Sequence, residues 1–139
     1  MNPGLRRGER DGYGSGMRAQ LVLAGVSGLL AVAFGAFAAH GASDPLAAEW
    51  LRTGGQYQLT HALAVFAGLA VHRAGGGRPA GVAAWLFLAG SLLFSGALYA
   101  LAFTGVRGWG AVAPVGGVLL MAGWAALAWA GLRAGRDPT

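Results

Sequence analysis

The chain has 139 residues, of which 55% are hydrophobic and only 11% carry a charge. Soluble domains carry roughly 25% charged residues, so this composition excludes an ordinary soluble domain and predicts a single membrane-embedded domain. The chain has no cysteine, which excludes disulfides, thiolate catalysis and sulfur-ligated metal sites.

All the basic side chains are arginines, and the net charge is +5. Basic proteins often bind nucleic acid, but these arginines are spread over the ends of apolar segments instead of lying on one face. We therefore expect positive charge that flanks a membrane, with the lipid bilayer as a partner and no nucleic acid.

Four apolar stretches contain no charged residue, and each is close to the roughly 20 residues that cross a bilayer. They are residues 19–39, 55–71, 80–103 and 110–132. Because short polar segments join them, the predicted fold is all-α. We expect a polytopic membrane protein with four transmembrane helices in an antiparallel up-down bundle.

Residues 1–18 are polar and glycine-rich, and we predict a disordered cytoplasmic tail there, with Met17 as an alternative start. A signal peptide is the alternative for the first span, because residues 36–38 match a small-residue cleavage pattern. The apolar run exceeds the roughly 7–15 residues usual for such a signal, which favours an uncleaved span. The transmembrane domain then covers residues 19–133, and residues 134–139 form a second cytoplasmic tail.

The loop after the first span contains a helix start. Ser43 or Asp44 can cap a helix whose first residue is Pro45. Leu46 and Trp50 then share a face, which predicts a short amphipathic helix on the outer membrane surface. An ordinary capped connector is the alternative.

The second span carries polar side chains near its start. Gln56, Tyr57, Gln58 and His61 fall on one side of a helical wheel. Hydrocarbon offers them no water, so such groups usually face other helices or a wet cavity. This side of the span is therefore the best candidate for a site.

The third span supplies a matching stripe, because Ser91, Ser95 and Tyr99 step by four residues. If the spans alternate in direction, Tyr99, the polar start of the second span and the end of the first span lie in the outer half of the membrane. The candidate site, called the predicted cluster below, consists of His40, Gln56, Tyr57, Gln58, His61, Ser95 and Tyr99.

Small residues recur at helical spacing in the first and fourth spans, and such patterns let helices approach closely in lipid. Two stripes are predicted to be packing faces: Gly28, Val32, Gly35 and Ala39 in the first span, and Gly117, Met121, Trp124 and Ala128 in the fourth.

The arginine distribution predicts the orientation of the spans. Eight arginines lie in the N-terminal tail, the second loop and the C-terminus, against two in the first and third loops, Arg52 and Arg107. The excess of positive charge on the cytoplasmic side of membrane proteins therefore places both termini in the cytoplasm.

Four ordered motifs resemble the YgdD/YwdK-like family, small polytopic bacterial membrane proteins of unknown function with an animal transmembrane counterpart. They are GAFAAHG at 35–41, TGGQYQLTHALAV at 53–65, FSGALYAL at 94–101, and the PVGG and GW elements between Pro114 and Trp124. The resemblance covers about residues 20–130. It implies a four-helix protein of the bacterial inner membrane with an uncleaved first span, and it brings no activity or cofactor. The chain departs from the family at Gly54-Gly55, where larger residues are usual, which suggests a loosened helix end.

The favoured function is non-enzymatic: a structural protein, or one that acts through lipid, a membrane-protein partner or a second copy, with the predicted cluster as a hydrogen-bonded network. An enzyme is disfavoured because no nucleophile–base–acid constellation appears. Transport would require oligomers, since no charged residue lies within a span.

The alternative function is a site for haem, metal, quinone or lipid that uses His40 and His61. His40 ends the first span, whereas His61 lies roughly 9 Å inside the second, at a rise of about 1.5 Å per residue from Gly55. This offset disfavours a haem held by both histidines. A metal would have few further ligands, with Asp44 or Glu49 as the candidates.

Overall fold

The computed structural model describes residues 3–134, with side chains from residue 14 onward. It contains four α-helices: α1 (Pro3–His40), α2 (Pro45–Val71), α3 (Gly77–Thr104) and α4 (Ala113–Arg133). A π-helical segment, His72–Gly76, joins α2 to α3, and a 3-10 turn, Arg107–Ala111, precedes α4. The described backbone contains no strand, which confirms the all-α class.

Three stretches of the described helices are long and apolar enough to cross a membrane. They are Gly14–His40, Pro45–Thr104 and Arg107–Arg133. The second has 60 residues and runs through the break at Gly75, where φ is 94°. These stretches support a membrane protein, while the count of four crossings stays a prediction.

The helix that holds the first span starts earlier than the composition suggests. Its backbone is helical from Pro3, so residues 3–18 differ from the predicted disordered tail, and residues 1–2 lie outside the described chain. Once a long apolar helix exists, each added residue gains one backbone hydrogen bond without a new nucleation cost. Proline is also tolerated in the first turn of a helix.

The predicted amphipathic helix is not a separate element, because the residues after Pro45 form the first turns of α2. The capping prediction is confirmed: Asp44 accepts hydrogen bonds from the backbone nitrogens of Leu46 and Ala47, both at 3.2 Å. The helix then continues through Gly54 and Gly55 without a break.

Close packing explains why the glycine pair does not loosen the helix. A Cβ on Gly54 would come within 2.7 Å of the Tyr99 ring, and one on Gly55 within 3.1 Å of the Ala31 carbonyl oxygen. Glycine in a helix interior costs about 1 kcal/mol. Here its small size permits the contacts of α2 with both neighbours, which offset that cost.

The chain reverses at a glycine turn, and α3 folds back along α2. Gly75 and Gly77 both have positive φ, at 94° and 64°, which residues with a side chain rarely adopt. The His72 ring nitrogen Nδ1 lies 2.8 Å from the Gly77 carbonyl oxygen. Near this turn, a Cβ on Gly68 would lie 3.2 Å from the Ala80 carbonyl oxygen, so the two helices are in close contact.

The helices form an open row in which each packs mainly on its neighbours in the chain. The contacts between α1 and α3 are sparse, and α1 has none with α4 within the described residues. The predicted bundle is therefore open between its first and last helices. This arrangement leaves α2 and α3 as the central pair, which holds most of the buried polar groups.

The two predicted small-residue stripes lie only partly on the contact faces, because Gly35 packs on Gly55 and Trp124 packs on Phe87 while other members are exposed. Val32 and Met121, one from each stripe, are 61% and 66% exposed. The buried face of α1 instead carries Ala24, Ala31 and Ala38, and that of α4 carries Ala113, Gly116, Leu120, Gly123 and Ala130. Small residues are frequent on every side of these helices, so spacing alone did not select the contact face.

Candidate functional site

Two hydrogen bonds join the middle of α2 to α3. The Tyr99 hydroxyl donates to Gln58 Oε1 at 2.6 Å, and the Ser95 hydroxyl donates to the Gly54 carbonyl oxygen at 2.8 Å. Both bonds are buried, and Ser95 has no exposed surface. In hydrocarbon, where water cannot compete, these bonds help to fix the two helices relative to each other.

The direction of the helices explains why Tyr99 reaches Gln58. Side chains on a helix tilt toward its N-terminus. Because α3 folds back along α2, the Tyr99 ring tilts toward the turn and Gln58 tilts away from it, so they meet beside Gly54. The absence of a side chain at Gly54 leaves the space that the ring occupies.

His61 is held through both of its ring nitrogens. Its Nδ1 lies 2.7 Å from the Tyr57 carbonyl oxygen one turn earlier, and its Nε2 lies 3.0 Å from Trp124 Nε1 on α4. The indole nitrogen can only donate, so Nε2 accepts, and Nδ1 carries the proton and donates to Tyr57. This arrangement requires the neutral ring in one defined tautomer.

Aromatic rings surround this histidine. Phe87 of α3 is fully buried, with its centroid 5.6 Å from the His61 ring and 5.0 Å from the Trp124 ring. The His61 and Trp124 rings meet edge to face at 5.9 Å. Three helices thus meet around Phe87, because α2, α3 and α4 each contribute one ring. We call Gln58, His61, Ser95, Tyr99 and Trp124 the α2–α4 network.

The structure brings together four residues of the predicted cluster: Gln58, His61, Ser95 and Tyr99. Tyr57 contributes its backbone carbonyl, while its ring is 45% exposed and lies 4.5 Å from the Phe94 ring.

Gln56 and His40 stay outside the network, and both are exposed. The buried residues of α2 follow a spacing of three and four through Leu51, Gly54, Gln58, His61 and Val65. Gln56 falls between these positions, and His40 lies at the exposed end of α1.

Trp124 is the member that the sequence analysis did not place in the site. The residue spacing predicts a packing stripe for Trp124, whereas an indole N–H in lipid needs an acceptor, and that requirement is the signal for a polar contact. Ser91, predicted to share the stripe of Ser95, is buried, and its hydroxyl has no hydrogen-bond partner in the described part of the protein.

The network offers little to a metal ion. Within the described side chains, no group of three or more histidine, cysteine, aspartate or glutamate residues could hold one. His61 has no free ring nitrogen, and it faces α4, which makes no described contact with the helix that carries His40. The arrangement therefore suits helix association better than ligation.

Comparison with known proteins gives a consistent set of relatives. The model of DUF423, described as a protein of unknown function, matches residues 34–117. The UPF0382 inner membrane protein YgdD of Escherichia coli K12 is 44% identical over 117 residues, covering 78% of this chain and 85% of that protein. The UPF0382 membrane protein YwdK of Bacillus subtilis is 41% identical over 113 residues, covering 78% and 91%. No solved structure matches.

Proposed function

The chain belongs to the DUF423 family of proteins of unknown function, and from that premise we propose that it is a non-catalytic, multi-pass inner membrane protein. The α2–α4 network holds its helices together, and the protein acts through lipid or through a membrane-protein partner, including a second copy. The name of the Escherichia coli relative and the apolar helices support this location.

The occupied ring of His61 is the observation that carries the structural role. A histidine that binds a metal or haem iron must present a free nitrogen lone pair. In this fold the Nε2 lone pair accepts from Trp124, and Nδ1 donates to Tyr57. A ligand at His61 would have to break an interhelical bond, so the histidine serves to join α2 and α4.

A double-mutant cycle tests this role. The variants Trp124→Phe, His61→Phe and the double variant are compared by the free energy of unfolding in bicelles. We expect a coupling energy of about 0.6 kcal/mol, the average for interhelical hydrogen bonds in membranes, and at most about 1.7 kcal/mol. Tyr57→Phe is the matched control, because it removes an exposed hydroxyl and keeps the carbonyl that binds His61. A coupling energy of zero would contradict the proposal.

We further propose four crossings in an up-down arrangement, with a transmembrane domain at residues 19–133. Residues 1–18 and 134–139 then lie in the cytoplasm. The eight arginines of the termini and the second loop, against two in the other loops, support this orientation. The glycine turn at Gly75–Gly77 supports separate second and third crossings, because the chain reverses there.

Reporter fusions test the proposed topology. A green fluorescent protein at the C-terminus is expected to fluoresce, whereas alkaline phosphatase inserted in the segment Arg107–Ala111 is expected to be active in the periplasm. Alkaline phosphatase inserted at Gly75 serves as the control and is expected to be inactive. A C-terminal fusion that does not fluoresce, or an active alkaline phosphatase at Gly75, would refute the orientation.

A further inference from the structure

A groove separates α1 from α3 on one side of α2. Both helices pack on α2 but have few contacts with each other, which leaves a volume of about 310 Å³ between them. Ser27 and Leu30 line it from α1, Trp85, Leu88 and Leu92 from α3, and Gln58 from α2. The volume lies at the lower end of the roughly 300–1,000 Å³ of small-molecule sites.

One end of the Gln58 amide is available in this groove. The 2.6 Å bond with the Tyr99 hydroxyl has the length of an O–H···O bond, which places the amide oxygen toward Tyr99 and the nitrogen away from it. Gln58 is only 8% exposed, and Nε2 has no hydrogen-bond partner in the described protein. Among the described side chains, Ser91 Oγ is the one fully enclosed polar atom that lacks a partner. Gln58 Nε2 also lacks a partner but is not fully enclosed, and because Gln58 lines the groove, we take this nitrogen to be open to it.

The depth of the groove restricts what can satisfy this donor. Its lining residues occupy positions 23–30 of the stretch Gly14–His40 and 85–92 of α3, near the middle of both helices. At that depth phospholipids present only hydrocarbon, because their ester groups lie near the membrane surface. An acceptor must therefore arrive on an uncharged, mostly apolar molecule.

We propose that this groove binds the head of a prenylated quinone. One quinone carbonyl accepts a hydrogen bond from Gln58 Nε2, the Ser27 hydroxyl can donate to the second, and the isoprenoid tail leaves between α1 and α3 into the bilayer. The quinone combines a small neutral ring, carbonyl acceptors and an apolar tail, which are the properties that the groove requires. This inference rests on the proposed function, in which the protein acts through lipid, and it names prenylated quinones as that lipid.

The test uses the full chain in phosphatidylcholine nanodiscs with an azido-quinone photolabel, competed by decylubiquinone. We expect saturable labelling of peptides that contain residues 23–30 or 85–92. Gln58→Leu should weaken decylubiquinone competition about tenfold, equivalent to about 1.4 kcal/mol. Ala89→Trp, which fills the groove from α3, should abolish it.

Two controls separate binding from folding. Ser95→Ala removes the neighbouring bond to the Gly54 carbonyl, leaves the Tyr99–Gln58 bond in place and should keep affinity within about threefold. Leu29→Trp adds the same bulk on α1 at an exposed position outside the groove and should change nothing. If Gln58→Leu fails to fold, the loss of decylubiquinone competition in Ala89→Trp tests the proposal on its own.

Labelling that decylubiquinone does not compete, or that persists unchanged in both groove variants, would overturn the quinone proposal. A phospholipid that stays bound in native mass spectrometry and is not displaced by quinone would also overturn it. The unfolding energy of Ser95→Ala, measured in the same preparations, reports on the α2–α4 network independently of the groove. If Ser95→Ala is destabilised and the unaltered protein binds no quinone, the quinone proposal fails and the proposed function stands.

Discussion

Gly116→Ala is expected to lower the free energy of unfolding by about 2–3 kcal/mol, the upper part of the range for overpacked sites. A Cβ at Gly116 would overlap with the Phe94 backbone nitrogen and lie within 2.8 Å of the Gly90 carbonyl oxygen. Both neighbours are backbone atoms of α3, so relief requires that α3 and α4 move apart. Thermal unfolding in detergent, followed by circular dichroism, measures the loss.

The adjacent glycine provides a matched control. A Cβ at Gly117 would meet only Phe94 Cδ2, at 4.0 Å, which is ordinary van der Waals contact. Gly117→Ala should therefore be neutral or stabilise the helix by up to about 1 kcal/mol through its better helix propensity. Equal stability of the two variants would show that α4 does not pack on α3 through Gly116.

Phe87→Ala is expected to cost about 3 kcal/mol, at the lower end of the usual range for buried phenylalanine. The ring has no exposed surface and contacts both His61 and Trp124, so its removal leaves a cavity beneath their hydrogen bond. We expect a lower midpoint of unfolding and a more mobile Trp124 indole, detected as a red shift and lower anisotropy of tryptophan fluorescence.

Leu92→Ala on the same helix is the control for Phe87→Ala. Leu92 is 75% exposed, so its truncation should change stability by less than about 0.5 kcal/mol. A Phe87→Ala variant as stable as Leu92→Ala would mean that α2, α3 and α4 do not meet around this ring.

Strong local signals in the sequence mark the start of α2 and the ends of α2, α3 and α4. Asp44 and Pro45 are a cap and a first-turn proline, and the structure starts α2 there. The predicted spans end within a few residues of Val71, Thr104 and Arg133, since Gly75, Gly105 and charged residues follow the apolar runs. At Gly54 and Gly55 the weak helix propensity of glycine predicts a loosened helix end. The helix continues there because of its packing against the neighbouring helices, which the sequence alone does not show.

The contact faces of α1 and α4 were harder to predict than the ends of the helices. In α4 Gly116 and Gly117 are adjacent glycines, and only the fit against Gly90 and Phe94 identifies Gly116 as the contact position. Choosing Gly117 placed Trp124 on a packing stripe with Met121, whereas the structure turns its indole toward His61.

Residue polarity also predicted more members of the candidate site than the structure contains. His40 and Gln56 have the residue types of a buried network, but their positions on the helices leave them exposed. Gln58, Ser95 and Tyr99 were found because their spacing coincides with the buried faces of α2 and α3.

The tautomer of His61 decides whether this histidine joins α2 to α4. In ¹⁵N NMR spectra of histidine-labelled protein in nanodiscs, we expect a neutral His61 ring with the proton on Nδ1 and an unprotonated, hydrogen-bonded Nε2. The Nε2 signal should shift in Trp124→Phe and stay unchanged in Tyr57→Phe. A proton on Nε2, or an Nε2 signal indifferent to Trp124→Phe, would contradict a histidine that joins α2 to α4.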